Sequence, residues 1–362
     1  MRIAVDAREL AGRPTGVGRY LSELLDRWGA SADARRHEWR FYAHHPVTVP
    51  QLLSSSSVVI AGAGGTRWEQ TALTRAIGQD KPDVLFAPAY TAPLTAPCPI
   101  ALTIHDVSFA AHPEWFSFRE GFRRRTLTAW SARRARLVIT DSRFSCHEIR
   151  KHLGIPEHRI RVIPLGIRRP TTIVPGERRP VILYVGSIFR RRHVDTLIDV
   201  FINHVALRVP ESRLEIVGDN RLYPPDDPAR GLEGCPPEIA RRVTIRSYVD
   251  DAALHALYQQ ASVFAFLSSY EGFGLTPLEA LASGVPPVVL DTPIAREVYG
   301  EAARYVPDLA SPASLAEALI ELLTVPEARG AVLRYADTVL ARYTWERTAD
   351  TTLRTLEEAA GA

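Results

Sequence analysis

Glu271 and Glu279 lie in the stretch SSYEGFGLTPLEALASGVP (268–286), with seven residues between them. Gly272 and Gly274 flank Phe273 after the first glutamate, and Thr276-Pro277 stands ahead of the second. An ionised carboxylate only accepts hydrogen bonds, so it suits hydroxyl donors and repels phosphate. Glycines let the backbone approach a ligand closely. Threonine can cap a helix and proline suits its first position, which predicts a helix starting at Thr276-Pro277. A helix start presents unpaired N–H groups and the positive end of the dipole, a ready site for phosphate. Leu275, Thr276 and Leu278 are the donors, since Pro277 has no N–H. The stretch thus predicts a phosphate site bracketed by two hydroxyl-binding carboxylates. A sugar on one side and a ribose on the other make a nucleotide diphosphate sugar. The structural alternative for Glu279 is a capping box with Thr276.

Three other groups have types and positions that could serve this chemistry. Arg190–Arg192 follow VILYVGS on a glycine-containing turn, where an anion site competes with a plain solvated charge run. Gly16 and Gly18 in GRPTGVGR follow the first strand and predict a loop near phosphate or acceptor; the alternative is a tight turn. A dinucleotide fingerprint does not fit, since Leu21 stands where the third glycine belongs. His105-Asp106 closes a strand at its ligand-binding end, either as a reacting group or as a cap.

These residues need elements to hold them, and short apolar runs alternate with helical patterns along the whole chain. Seven strands are expected before residue 168 and six after 178, among them RIAVD, DVLFAP, VILYV, SVFAFLS and VPPVVLD. Most are apolar throughout, as in parallel sheets covered on both faces by helices. A Pro- and Arg-rich stretch, 168–180, reads as a linker. At 362 residues, two domains are expected, 1–168 and 178–344, with a last helix, 345–362, packing back on the first. Ligands of open parallel sheets bind beyond the C-terminal strand ends, so two facing sheets would form an interdomain cleft.

The stretch 268–286 resembles the E-x7-E motif of the retaining glycosyltransferases of family 4, which have the GT-B fold. YVGSIFRRRHVDTLI, LEIVGD, PIAREVYGEAARYVPD and, in the first half, PTGVGRYLSELL and TIHDVSFAAHPEWFS resemble that family in order, over nearly the whole chain. The first-half segments resemble members that build bacterial surface polysaccharides. The resemblance implies two Rossmann-like domains, the first for the acceptor and the second for the donor. It implies that Glu271 holds the hydroxyls of the transferred sugar, that Phe273, Gly274, Leu275 and Thr276 meet the diphosphate through the backbone, and that Glu279 holds the ribose. Arg191 and Arg192 would neutralise the leaving diphosphate, Gly186 and Gly218 would shape the donor loops, and His105 would lie near the reacting carbon. Two positions depart from the usual pattern: Arg192 replaces a lysine and Thr276 a proline. The implied reaction moves a hexose, with mannose from GDP-mannose the first expectation, to a hydroxyl of a surface glycan or lipid-linked oligosaccharide, with retention. The alternatives are a sugar-nucleotide epimerase and a non-catalytic sugar-nucleotide-binding protein.

Composition removes several other chemistries. No lysine follows Lys151, so the second half cannot build a pyridoxal Schiff base. There is no Asp-x-Asp, and His147 and His152 lack the spacing of a zinc helix. No metal and no cofactor beyond the co-substrate are expected. A net charge of +3 and the lack of a nucleic-acid motif argue against nucleic acid. Cys98, Cys146 and Cys235 lie far apart, no signal peptide is visible and no apolar run would span a bilayer, so a cytoplasmic location is expected. The stretch PEWFSFREGFRRRTLTAWSARRAR (113–136) interleaves aromatics with seven arginines. It reads either as a helix with an aromatic core face and a wet basic face, or as peripheral contact with anionic lipid.

Overall fold

A computed structural model describes residues 1–12, 16–50, 53, 55–60, 62–170 and 178–361. Residues 171–177 of the expected linker, and 13–15 of the expected glycine loop, lie outside them. The chain divides into two units, Met1–Gly166 with Tyr343–Ala362, and Ile167–Arg342.

Unit 1 is built on seven parallel strands: β1 (Arg2–Asp6), β2 (Glu38–Ala43), β3 (Ser55–Val59), β4 (Val84–Ala87), β5 (Ile100–Thr103), β6 (Leu137–Thr140) and β7 (Ile160–Val162), in the order β3-β2-β1-β4-β5-β6-β7. Unit 2 has six: β8 (Val181–Val185), β9 (Arg213–Val217), β10 (Val243–Arg246), β11 (Val263–Phe266), β12 (Pro287–Leu290) and β13 (Arg304–Val306), in the order β10-β9-β8-β11-β12-β13. β4, β5, β6, β8, β11 and β12 are buried at every position, which is why their sequences are apolar rather than alternating. A side chain as enclosed as Phe264 contributes roughly 2–3 kcal/mol by leaving water.

Strand order locates the ligand ends. In unit 1 the chain runs from β1 outward to β3, then returns to the other side of β1 at β4. In unit 2 it runs from β8 to β10 and returns at β11. The gaps between β1 and β4, and between β8 and β11, are therefore topological switch points, where successive crossovers leave on opposite faces and open a crevice.

The final helix, Trp345–Ala360, belongs to unit 1. Trp28 Nε1 donates to the Ala349 carbonyl at 3.0 Å, and Thr348 Oγ1 to the Pro164 carbonyl at 2.7 Å. The basic aromatic stretch forms a helix over Phe118–Arg134, capped by the Ser117 side chain. Its buried residues are Gly121, Thr128, Ser131 and Ala132. Phe118, Phe122 and Trp130 are exposed at 81%, 57% and 52%, so the reading of these rings as a core face is overturned. Small residues let this helix sit close to unit 1, which turns the large rings outward.

Candidate active site

The β8–β11 switch point gathers most of the singled-out residues of unit 2. β11 ends at Phe266, and the chain passes through Ser268 and Glu271 to a helix over Leu275–Ala282. β8 ends at Val185, and Gly186 leads through Ser187 to a 3-10 turn over Arg190–Arg192. Arg192 Nε donates to Glu271 Oε1 at 2.8 Å, Ser268 Oγ donates to the same oxygen at 2.9 Å, and Arg192 Nη1 donates to the Ser187 carbonyl at 3.0 Å. Both charged side chains are 14% exposed. The Arg192 guanidinium also lies 5.1 Å from the Phe266 ring centre. Arg191 stacks over Phe189 at 4.2 Å, while its carbonyl accepts from Ser269 N at 2.8 Å.

Burial alone would raise the Glu271 pKa. The charges of Arg192 and Arg191, with hydrogen bonds from Arg192 and Ser268, overcome it and hold the carboxyl below its usual value. Burial likewise works against the Arg192 charge, and Glu271 more than restores it. Glu271 is thus an ionised acceptor with one oxygen already engaged.

The helix start differs from the expectation. Gly274, not Thr276, occupies the capping position, with φ +87° and no side-chain cap. Thr276 lies inside the first turn and its Oγ1 is buried without a partner among the described residues, so the capping box with Glu279 is overturned. The reason is local. Only glycine takes this left-handed φ without strain, and a Cβ there would stand 2.2 Å from the Tyr299 hydroxyl, which donates to the Gly274 carbonyl at 2.9 Å. Leu275 and Thr276 remain first-turn N–H donors and Pro277 has none to offer. Glu279, one turn on, accepts from Tyr258 OH at 3.4 Å. Phe266, Ser268, Glu271, Phe273, Thr292 and Tyr299 line a shared recess. At Gly218, after β9, a Cβ would lie 1.9 Å from the Gly186 carbonyl oxygen, so that position must be glycine, while a Cβ at Gly186 would lie 2.7 Å from Arg192 Nη1.

In unit 1, His105 sits beyond β5, with Nδ1 at 2.8 Å from Asp141 Oδ2 and Nε2 at 3.2 Å from the Pro88 carbonyl. Both ring nitrogens therefore face acceptors, so the pair holds one proton beyond a neutral imidazole with a carboxylate. Burial opposes the imidazolium, but Asp141 raises the His105 pKa above its ordinary value. The rings of Tyr20 and Tyr90 stand edge-on to it, at 5.0 and 5.8 Å. Gly16 and Gly18 are not in a loop. They form the first turn of the helix Gly16–Ala30, so the expected glycine loop is overturned for those two residues. Among the described residues, no group of three or more His, Cys, Asp or Glu is placed to hold a metal.

The sequence reading missed Ser268, Phe266, Tyr299 and Asp141. Ser268 and Asp141 had a signal, since each stands at the C-terminal end of an apolar strand. Tyr299, 25 residues from Gly274, had none.

Residues 14–169 match the family model described as Glycosyltransferase Family 4, and 171–338 match the model for glycosyl transferases group 1. Both halves match glycosyltransferase models, so the chain belongs to the glycosyltransferases. The O-antigen chain mannosyltransferase RfbU of Salmonella typhimurium is 28% identical over 207 residues, 57% of this chain and 56% of that one. The GDP-mannose:cellobiosyl-diphosphopolyprenol alpha-mannosyltransferase of Komagataeibacter xylinus is 28% identical over 66% of this chain and 60% of that one. The chain thus spans little more than half the length of these curated relatives. The sucrose-phosphate synthase of Thermosynechococcus elongatus superposes with a TM-score of 0.73 at 18% identity, over 99% of this glycosyltransferase and 98% of that chain. Its fold, two Rossmann-like parallel-sheet units, is GT-B. No helix among the described residues is long and apolar enough to cross a membrane.

Proposed function

We propose that this glycosyltransferase moves a hexose from a nucleotide diphosphate sugar to a hydroxyl of a growing glycan, with mannose from GDP-mannose as the donor. The observation that carries the reading is the Arg192–Glu271 pair beside the helix start at Leu275, at the switch point of unit 2. The open oxygen of Glu271 accepts from the sugar hydroxyls. The N–H groups from Phe273 to Thr276, with Arg191 and Arg192, hold the diphosphate, and Glu279 takes the ribose. Gly186 and Gly218 keep the floor of the site low. The bond from the sugar carbon to the phosphate oxygen breaks, and the acceptor oxygen bonds to that carbon on the same face. The acceptor proton passes to the departing phosphate oxygen, and attack on the face it leaves retains the configuration. Positive charge from two arginines and a helix start does for the diphosphate what a metal does elsewhere. Unit 1 takes the acceptor through residues that include His105 and the Gly16–Gly18 turn.

The mannosyltransferase names of two relatives support the choice of sugar and of a polysaccharide or lipid-linked acceptor. A lipid-linked acceptor brings the enzyme to a membrane surface from the cytoplasmic side. The exposed Phe118, Phe122 and Trp130, beside Arg119 and Arg123–Arg125 on one helix, suit peripheral contact with anionic lipid there. The test is a panel of GDP-, UDP- and dTDP-sugars with a mixture of lipid-linked and free glycans, read by product mass. A mass increase of one hexose supports the reading. Donor consumed to an isomeric sugar nucleotide without any acceptor would replace it with an epimerase.

A further inference from the structure

The His105–Asp141 pair is backed by polar groups from three other elements. In the register of β5 and β6, Thr103 stands beside Ile139, and the Ile104 N–H donates to the Ile139 carbonyl at 2.8 Å, so Thr103, His105 and Asp141 face one side of the sheet. The final helix, Trp345–Ala360, packs on β4, β5 and β6, and the helix Gly16–Ala30 packs on the final helix. The first of these helices brings Thr352 and the second Tyr20. The Tyr20 ring stands edge-on to His105 at 5.0 Å and lies 6.4 Å from the Trp345 ring. Burial pushes the Tyr20 phenol well up, and the nearby hydroxyls of Thr103 and Thr352 and the charge of Asp141 all act on it.

Yet Tyr20 Oη, Thr103 Oγ1, Thr352 Oγ1 and Asp141 Oδ1 are all buried without a hydrogen-bond partner among the described residues, and none of the four residues is more than 3% exposed. The hydroxyls stand near one another without reaching hydrogen-bond geometry. Buried polar oxygens are nearly always bonded, and where the protein supplies no direct partner a buried water does, given about two to four polar groups around it. Three hydroxyls that can donate and one carboxylate oxygen that only accepts meet that need. Asp141 Oδ2 is taken by His105 Nδ1, so Oδ1 is the oxygen left to receive them. We infer that buried water bridges Tyr20, Thr103 and Thr352 to Asp141 Oδ1, and that this network positions His105. Tyr20 and Thr352 are too buried to touch a substrate and act through Asp141, as positioning residues. The other titratable groups facing His105 are Asp106 and Tyr90, joined by a bond of 3.0 Å from the Tyr90 hydroxyl to Asp106 Oδ2. Only the consequence for turnover rests on the function proposed above.

A crystal structure of the full chain should show ordered water bonded to Asp141 Oδ1 and to at least two of the three hydroxyls. Ring-nitrogen NMR of histidine-labelled protein, with His105 assigned by its loss in His105→Asn, reads the positioning. Dipoles aimed at Asp141 Oδ1 share its charge, so removing them leaves a carboxylate that holds the His105 proton more tightly. Tyr20→Phe and Thr352→Val should each raise the proton affinity of His105 by roughly threefold. Thr352→Ser keeps the hydroxyl and should titrate as the wild type does. Should Tyr20→Phe not fold, Thr352→Val and Thr352→Ser carry the test between them. Under the proposed reaction, Tyr20→Phe and Thr352→Val should also lower kcat with the donor KM unchanged. No water on Asp141 Oδ1, an unchanged or lowered His105 midpoint in the folded variants, or equal midpoints in Thr352→Ser and Thr352→Val would overturn the inference. A raised midpoint with unchanged kcat would instead remove His105 from the reaction and leave the network standing.

Discussion

Arg192 and Glu271, 79 residues apart, are joined by a hydrogen bond of 2.8 Å, with the arginine anchored on the Ser187 carbonyl and the glutamate on Ser268. Each group stabilises the other's charge against the cost of burial. The pair is ready before any ligand arrives, so its members should act as a unit.

Arg192→Ala leaves a buried carboxylate uncompensated and should cost about 3–5 kcal/mol of stability. The double variant Arg192→Ala, Glu271→Gln should recover about 1–3 kcal/mol of that loss, with Glu271→Gln alone completing the cycle. Arg192→Lys keeps the charge but cannot reach Glu271 and Ser187 together, and should lower kcat more than it raises KM. Urea denaturation gives the first two results and steady-state kinetics the third. Additive losses in the cycle would separate the two residues.

The helix start depends on Gly274 and Tyr299. Gly274→Ala combines a left-handed φ with a 2.2 Å approach to the Tyr299 hydroxyl, and should cost about 1–3 kcal/mol. Tyr299→Phe gives up one hydrogen bond and should cost about 1 kcal/mol. Both should weaken nucleoside diphosphate binding, since the N–H groups they aim are those assigned to the diphosphate. Thermal melts and calorimetry with GDP and UDP would show it. Unchanged nucleotide affinity in Gly274→Ala would remove the helix start from the donor site.

The His105 pKa is raised by Asp141 against the cost of burial, so the folded state holds its proton more tightly than the unfolded chain. The stability from the His105 proton is fully present below the unfolded pKa of about 6.5 and is lost as pH rises through the higher folded value, while Asp141, whose carboxyl burial pushes above its usual value, adds none of it. Denaturation midpoints of the wild type should therefore fall with pH above about 6.5. His105→Asn should flatten that slope. A slope that survives the substitution would assign it to another group.

Parallel strands were legible because both faces of each sheet are covered, so β4, β5, β11 and β12 are apolar at nearly every position. Glu271, Arg191 and Arg192 were each visible as charged residues following a strand. Their pairing was not, because strand order decides which loops meet, and β8 lies beside β11 only after three crossovers. The helix start was misread because Thr276-Pro277 carries strong local signals, while the φ of Gly274 is held by Tyr299 from a different element. Tyr20 and Thr352 stood near opposite ends of the chain without a shared motif. The exposed rings of Phe118 and Phe122 ran against their hydrophobicity, since only packing tells which side of a helix is covered.

Those rings give a further test. The chain should sediment with vesicles containing phosphatidylglycerol and not with neutral ones, and salt should release it. Each arginine near the surface is worth about 1 kcal/mol. Arg123→Gln, Arg124→Gln and Arg125→Gln together should abolish sedimentation, and Phe118→Ser with Phe122→Ser should weaken it, with donor affinity unchanged in both. Equal sedimentation with neutral vesicles, or none with anionic ones, would remove the membrane from the account.

The most direct test of the donor site is calorimetry of GDP-mannose, UDP- and dTDP-hexoses, and the free nucleoside diphosphates, on wild type and Glu271→Gln. One nucleotide sugar should bind the wild type more tightly than its parent nucleotide. Glu271→Gln should leave the parent nucleotide unaffected and weaken the nucleotide sugar by roughly tenfold, since a charged acceptor on the sugar hydroxyls is lost. A wild-type chain that binds no nucleotide sugar, or a variant that loses the free nucleotide and the nucleotide sugar alike, would contradict the account.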